Sequence, residues 1–224
     1  MAATLAASRL ERVEERISSA CARAGRRRDE ITLLAVTKAF PASTIVEAHA
    51  LGLRDFGENY VQDFEAKAPL ACQLEGARFH LIGHLQSNKS RRAAELFHVI
   101  QTVDGAKLAR RLNEVGRPLE VMIEVKLSEA EESKYGVAPE EVPQLMEFIR
   151  AMPNLTLTGL MTIPPWSEDA ETTRPYFRRL AALGSQVGLP KLSMGMSNDL
   201  EAAIEEGSTL IRIGTALFGS RLKK

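Results

Sequence analysis

The chain has 224 residues, long enough to bury the core of one large domain or two small ones. Its 29 Lys and Arg residues balance 29 Asp and Glu residues. This neutrality argues against a dedicated nucleic-acid or anionic-membrane binder, which usually carries a basic excess. No stretch approaches the roughly 20 apolar residues of a membrane span. Cys21 and Cys72 lack metal-ligand spacing, which indicates reduced thiols in the cytoplasm.

The N-terminal segment is predicted to form an amphipathic helix over about residues 5–25, because Leu10, Val13 and Ile17 recur among charged residues. A secretory signal would place a basic segment before an apolar one, and the sequence lacks that order. Three glutamates among residues 11–15 argue against a mitochondrial signal. We therefore expect a cytoplasmic protein in which this helix precedes the first strand.

Beyond this helix, short apolar runs alternate with helical patterns. The predicted strands are 31–37, 55–57, 79–82, 99–103, 119–125, 155–161, 191–194 and 210–213. The predicted helices are 41–51, 60–67, 87–97, 106–115, 139–151, 170–184 and 198–206. Runs such as LLAV and VMIEV are nearly continuous hydrophobes, typical of a parallel sheet that is covered on both faces.

This alternation favours the α/β class and a TIM-type (β/α)8 barrel over a doubly wound sheet. The second strand has the weakest signal, so the count of eight rests on the alternation. No Pro/Gly-rich linker divides the sequence, and we expect a single domain over residues 1–224.

In such a barrel, ligands bind at the C-terminal ends of the strands. Lys38 directly follows the apolar run LLAVT and would reach that end. Desolvation there would favour the neutral amine that can attack an aldehyde. The alternative is a lysine that extends to a surface ion pair, and this residue alone does not decide between the two.

A possible anion site follows the seventh strand. Residues 193–199, SMGMSND, bring small residues and hydroxyl groups to a helix N-terminus, which attracts anions. Ordinary N-capping by Ser197, Asn198 or Asp199 would explain the same residues equally well.

A second such segment, residues 211–215 with the sequence IRIGT, ends the eighth strand. The amides of Gly214 and Thr215 could approach a phosphate there, because Gly lacks a side chain. Arg212 would point inward beside them.

Several motifs in collinear order span nearly the whole chain. They are LLAVTK at 33–38, RDFGENYVQ at 54–62, HLIGHLQSNK at 80–89, IQTVD at 100–104, SKYGV at 133–137, GLMTI at 159–163, SMGMSNDLEAAIEEGST at 193–209 and IRIGTALFG at 211–219. Each is weakly specific alone. Together they resemble the pyridoxal phosphate homeostasis protein family, which is similar to the barrel half of alanine racemases. The resemblance implies a protein that binds pyridoxal 5′-phosphate (PLP) and buffers or delivers it inside the cell.

The resemblance also implies roles for individual residues. Lys38 would hold PLP covalently as an internal aldimine. Ser197, Gly214 and Thr215 would bind the phosphate, and Arg212 would face the pyridine nitrogen. Ser197 precedes Arg212 by 15 residues, which fits the interval in racemases.

Two more cofactor-binding candidates, Asn59 and Met194, are expected beside the pyridine ring. The guanidinium of Arg212 is always charged and can only donate hydrogen bonds, so it would leave the ring nitrogen unprotonated. Carbanions on the cofactor would then be weakly stabilised.

The resemblance implies a carrier rather than an enzyme, with no catalytic residue assigned. Racemases have an additional β-domain and a catalytic tyrosine, and none of Tyr60, Tyr135 and Tyr176 matches that tyrosine. A low-activity PLP-dependent amino-acid racemase is the alternative, and an interaction module that PLP regulates is a third possibility. We expect a monomer whose partners are PLP and apo PLP-dependent enzymes.

Other polar residues have simpler interpretations. His80 and His84 flank the end of the third strand, where a metal site is disfavoured because histidines at this spacing bind a metal from one face of a helix. His84 and Gln86 could line the PLP site, and a structural hydrogen-bonding role would explain them equally well. Glu58 is interpreted as an acid in the first turn of a helix. Trp166 is expected to anchor its loop by packing, and a lid over the site is the alternative.

Overall fold

The computed structural model describes residues 2–128 and 135–219, so residues 133 and 134 of the SKYGV motif lie outside the described part. Eight parallel strands within these residues form a closed barrel in the order β1 to β8. The strands are β1 (Thr32–Val36), β2 (Asp55–Glu58), β3 (Arg78–Leu81), β4 (Val99–Val103), β5 (Leu119–Glu124), β6 (Leu155–Met161), β7 (Lys191–Ser193) and β8 (Leu210–Ile213). The predicted barrel is confirmed, including its weakly signalled second strand.

Helices connect the strands and cover the outside of the barrel. They are α1 (Ala2–Arg23), α2 (Ala42–Ala50), α3 (Val61–Ala71), α4 (Ser90–Leu96), α5 (Ala106–Asn113), α6 (Val142–Arg150), α7 (Arg174–Val187), α8 (Leu200–Glu205) and α9 (Thr215–Phe218). None of the helices in the described part of the chain is both long and apolar enough to cross a membrane.

Side chains alternate between the two faces of the barrel wall. In β1, Leu33 and Ala35 belong to the large apolar cluster shared with the helices. Leu34 and Val36 instead pack with Ile82 in a separate small cluster. Because successive residues of a strand point to opposite faces, the first pair faces the helices and the second pair faces the barrel interior. The same alternation sets the direction of each functional side chain below.

The N-terminal helix is confirmed and is longer at its start than predicted. α1 packs against α8 and α9, and its apolar face buries Val13 and Ile17. Arg16 donates two hydrogen bonds, of 2.6 and 2.8 Å, to the carboxylate of Glu201. α1 is therefore held in place by α8 and α9, which come much later in the chain.

Three predicted helices begin as short 3₁₀ turns, at Ser87–Lys89, Pro139–Glu141 and Ala170–Thr172. In two cases a proline, Pro143 or Pro175, lies in the first turn of the α-helix that follows. Proline suits this position because its backbone has no N–H to leave unpaired.

Candidate functional site

Lys38 lies at the C-terminal end of the barrel, which we call the mouth. The alternation that turns Leu34 and Val36 inward extends to Lys38, and its side chain is half-buried. Thr37 continues the backbone ladder by donating its N–H to the carbonyl of Gly57 at 3.0 Å. Ala39 then has φ of 64°, a left-handed conformation that costs a non-glycine residue about 1–2 kcal/mol. The chain therefore turns sharply directly after the lysine.

Ser197 and the start of α9 meet at the same mouth. The Oγ of Ser197 accepts a hydrogen bond of 3.2 Å from the N–H of Ala216, in the first turn of α9. Gly214 is the N-cap of α9 and Thr215 is its first residue. Their N–H groups have no acceptor within the helix, because the first turn has no preceding carbonyls. The two segments form one cluster of donors to which an anion could bind.

The loop after β7 does not use Ser197 to cap α8. Asp199 is the N-cap, and its carboxylate accepts a 2.6 Å hydrogen bond from the N–H of Met196. Gly195 has φ of 92°, and a Cβ there would lie 2.4 Å from the Cβ of Ala203. Only glycine therefore allows this loop to pack against α8 and bring Ser197 to α9.

Arg212 points into the barrel from β8 and is 4% exposed. It donates hydrogen bonds to the Oγ of Ser193 at 2.8 Å and to the carbonyl of Thr162 at 2.9 Å. Burial lowers the pKa of Arg212 to about 10, and the nearby carboxylates of Asp199 and Glu124 oppose this shift. The guanidinium therefore remains charged at neutral pH.

The contact with Ser193 begins a chain of hydrogen bonds through the barrel, which we call the interior relay. It consists of Arg212, Ser193, Gln101, His80 and Asp55. The hydroxyl of Ser193 donates to Oε1 of Gln101 at 2.6 Å. Nε2 of Gln101 lies 2.9 Å from Nδ1 of His80, and Nε2 of His80 lies 2.8 Å from Oδ1 of Asp55. The relay links the buried guanidinium to a carboxylate near the opposite end of the barrel.

These contacts define the direction of every hydrogen bond in the relay. Because the amide oxygen of Gln101 accepts from Ser193, its nitrogen donates to Nδ1 of His80. The ring therefore carries its proton on Nε2 and donates it to Asp55. Burial lowers the pKa of His80, although the carboxylate of Asp55 opposes this shift. The lowered pKa favours the neutral ring.

A cavity of about 500 Å³ opens at the mouth, between the ends of β2, β3 and β5. We call it the mouth cavity; its walls include Asn59, Gly83, His84, Gln86 and Glu124. His84 and Gln86 thus line the mouth, as the sequence suggested they could.

Glu124 is a candidate functional residue that the sequence interpretation missed. It is 7% exposed, and its Oε2 has no hydrogen-bond partner in the described part of the chain. Burial raises its pKa to about 7, the charge of Asp104 adds to this shift, and Arg212 opposes it. The sequence did contain a signal for this residue, because a glutamate ends the apolar run LEVMIE. Glu124 lies two residues after the inward-facing Met122, so its side chain also points into the barrel.

Glu58 belongs to β2 rather than to the first turn of a helix, so that interpretation was wrong. Its carboxylate is fully buried, 2.7 Å from Nζ of Lys67 on α3. Thr37 donates a further hydrogen bond of 2.7 Å to the same oxygen. This pair fastens α3 to the barrel wall, since Lys67 also donates to the carbonyl of Thr37 at 2.9 Å.

Three predicted residues remain, and the structure places each of them differently. Asn59 lines the mouth cavity, and its buried Oδ1 has no partner within the described residues. Met194 is fully buried in the apolar cluster shared with the helices, so its side chain presents no surface to the mouth. Trp166 is 71% exposed, and the prediction of a packed anchor is therefore wrong.

The fold described above is that of the N-terminal barrel domain of alanine racemases. The family model "Alanine racemase, N-terminal domain" matches residues 9–222. The chain is 47% identical to the "Pyridoxal phosphate homeostasis protein" of Pseudomonas aeruginosa over 221 residues, covering 96% of this chain and 95% of that protein. The protein of the same name from Escherichia coli is 45% identical, and 96% of each chain is covered. The chain belongs to the pyridoxal phosphate homeostasis protein family.

Solved structures agree with this assignment. A protein from Bifidobacterium adolescentis matches with a TM-score of 0.89 at 33% identity, covering 96% of this chain and 95% of that one. PipY of Synechococcus elongatus, solved with PLP bound, matches with a TM-score of 0.79 at 37% identity, covering 92% of this chain and 100% of PipY. An alanine racemase from Corynebacterium glutamicum, at 19% identity and a TM-score of 0.67, shares the fold over 96% of this chain and 62% of the racemase.

Proposed function

We propose that this protein binds PLP, holds it covalently through Nζ of Lys38, and serves PLP homeostasis in the cytoplasm by buffering the cofactor and delivering it to apo-enzymes. One observation carries the proposal. Three features lie at the same end of the barrel: Lys38 shortly after β1, Arg212 on β8, and the cluster formed by Ser197 after β7 and the start of α9 after β8. PLP supplies an aldehyde that reacts with primary amines.

The donors at the mouth fit the other parts of PLP. The hydroxyl of Ser197 and the amides of Gly214 and Thr215 suit a phosphate group. Asn59 has a buried amide oxygen ready to accept a hydrogen bond from a ligand.

Arg212 suits the pyridine ring of PLP, in a role that the resemblance to racemases implies for it. A guanidinium facing the pyridine nitrogen cannot accept a proton from it, so the ring remains a weak electron sink. The interior relay holds this guanidinium in place through Ser193. The names of the relatives agree with a carrier. We further propose that the carrier is monomeric, which light scattering coupled to size-exclusion chromatography will test.

Visible absorbance spectroscopy tests the covalent link. Purified protein mixed with PLP should acquire a visible band that borohydride bleaches and fixes as a mass increase on the peptide containing Lys38. Lys38→Ala should lose the band, whereas Lys107→Ala, which removes an exposed lysine on α5, should retain it. A wild-type protein that acquires no band with excess PLP, or a band that persists in Lys38→Ala, would overturn the proposal.

Turnover separates the carrier from a racemase. The PLP-loaded protein should leave each of the common L-amino acids optically unchanged over hours, as measured by chiral chromatography. Steady racemisation of one amino acid that disappears in Lys38→Ala would make the protein an enzyme.

A further inference from the structure

Two residues that line the mouth cavity each have a buried oxygen without a partner in the described part of the chain. The oxygens are Oε2 of Glu124 and Oδ1 of Asn59. Buried polar atoms are nearly always hydrogen-bonded in folded proteins, and each unpaired one costs about 1–3 kcal/mol. Two such acceptors on the wall of one cavity indicate a ligand that brings donors to both.

A glycine shapes the wall of the cavity next to Asn59. Gly83 passes so close to Asn59 that a Cβ on it would lie 2.2 Å from the backbone oxygen of Asn59. Glycine at this position therefore allows the loop after β3 to close against the end of β2. Thr102 fixes the same loop by donating to the carbonyl of Gly83 at 2.9 Å.

The chemistry of the two acceptors selects the ligand. A carboxylate and an amide oxygen both accept hydrogen bonds, and an ammonium group offers three donors and a compensating charge. We propose that the mouth cavity binds the ammonium group of a small primary amine, with Glu124 as its counter-ion and proton acceptor and Asn59 as a second acceptor.

Amine binding gives the PLP carrier a route for release, and this second step rests on the proposed function. The bound ammonium gives one proton to Glu124. Its nitrogen then forms a double bond to the PLP carbon that was bonded to Nζ of Lys38, as the double bond from that carbon to Nζ breaks. The two protons left on the amine nitrogen and the proton held by Glu124 all pass to Nζ of Lys38, which becomes an ammonium group, so atoms and charge balance. PLP leaves attached to the amine, and the lysine is restored.

The charges around Glu124 define the pH dependence of amine binding. Asp104 raises and Arg212 lowers its pKa, and Asp104 also lies 3.4 Å from Nδ1 of His84. Further titratable groups that line the mouth cavity are Tyr60, Lys89 and Tyr135, the last stacked on His84. Since the pKa of Glu124 is about 7, its carboxylate form and the affinity for the amine should both increase from pH 6 to pH 8.

NMR titration of the PLP-free protein with n-propylamine hydrochloride tests the site. We expect amide shifts at Gly83 and Glu124, and a weaker response to 1-propanol, which lacks the charge. Glu124→Gln should weaken amine binding roughly ten- to a hundredfold, because it removes a charged acceptor, and should abolish the increase with pH. Glu120→Gln is the matched control, because Glu120 lies on the same face of β5 near the opposite end of the barrel, paired with Arg78.

The outcomes separate this site from the PLP proposal. Equal amine affinity in wild type and Glu124→Gln, shifts that map to Glu120, or no saturable binding would overturn the amine site. In the loaded protein, n-propylamine should remove borohydride-fixable PLP from wild type about tenfold faster than from Glu124→Gln, as followed by mass spectrometry. Equal rates would overturn the release step. A protein that never loads PLP would overturn the proposed function but leave the result of the amine titration standing.

Discussion

Replacing Gln101 by leucine interrupts the interior relay at its middle while nearly conserving side-chain volume. Gln101 is fully buried, so the change exposes no new surface. The hydroxyl of Ser193 loses its acceptor, and Nδ1 of His80 loses its donor. Each buried group left unpaired costs about 1–3 kcal/mol, so we expect the free energy of unfolding to fall by about 2–6 kcal/mol.

Urea denaturation of the PLP-free proteins, followed by far-UV circular dichroism at pH 7.5, measures this loss. Gln144→Leu makes the same chemical change on the exposed face of α6 and should alter stability by less than about 0.5 kcal/mol. The unfolding slopes should remain equal, which shows that the denatured states are comparable. If Gln101→Leu is less than about 1 kcal/mol below wild type, the relay does not contribute as we argue.

Three other substitutions have predicted effects on the free energy of unfolding or on PLP binding. Glu124→Gln should raise the free energy of unfolding at pH 8 by roughly 3 kcal/mol and leave it unchanged near pH 4.5. The reason is that the folded carboxyl retains its proton up to about pH 7 whereas the unfolded one loses it near 4.5, so wild-type stability falls as pH rises through that window. Lys67→Met should cost about 3 kcal/mol at pH 7, because it leaves the buried carboxylate of Glu58 without its cation. Ser197→Ala should weaken PLP binding roughly tenfold in fluorescence titrations and leave the binding of pyridoxal, which lacks the phosphate, unchanged.

For each of these three predictions, one result would contradict the reasoning. A pH-independent effect of Glu124→Gln would mean that this carboxyl titrates normally in the folded protein. The cost of Lys67→Met should shrink when Glu58→Gln is added, and strictly additive costs would show that the two side chains do not interact. An equal loss of pyridoxal and PLP affinity in Ser197→Ala would place the serine away from the phosphate.

The sequence predicted the barrel well because its signals are local. Apolar runs bounded by helical patterns mark each strand, and a parallel barrel buries both faces of those runs. The weak run at residues 55–57 was correctly assigned to a strand through its position in the alternation. α9 was missed because four residues contain too little periodicity to identify a helix.

The site was harder to predict, because its interactions join residues that are distant in sequence. Ser193 and Gln101 are 92 positions apart and share a 2.6 Å hydrogen bond. The sequence around either residue gives no sign of this contact. The sequence placed Arg212 inside the barrel, but it could not show which groups hold it there. Glu124 was missed for the same reason, since its unusual burial becomes visible only when the neighbouring strands close around it.

The position of α1 has a consequence for how the protein is made. This helix is synthesised before α8 and α9, yet its apolar residues Val13 and Ile17 are buried where it packs on them. β1 is likewise synthesised before its neighbour β8, with Leu33 paired to Ile211. During translation α1 and one edge of the growing sheet therefore stay uncovered until α8, β8 and α9 leave the ribosome. Nascent chains that stall before residue 200 should be recognised by chaperones through these surfaces.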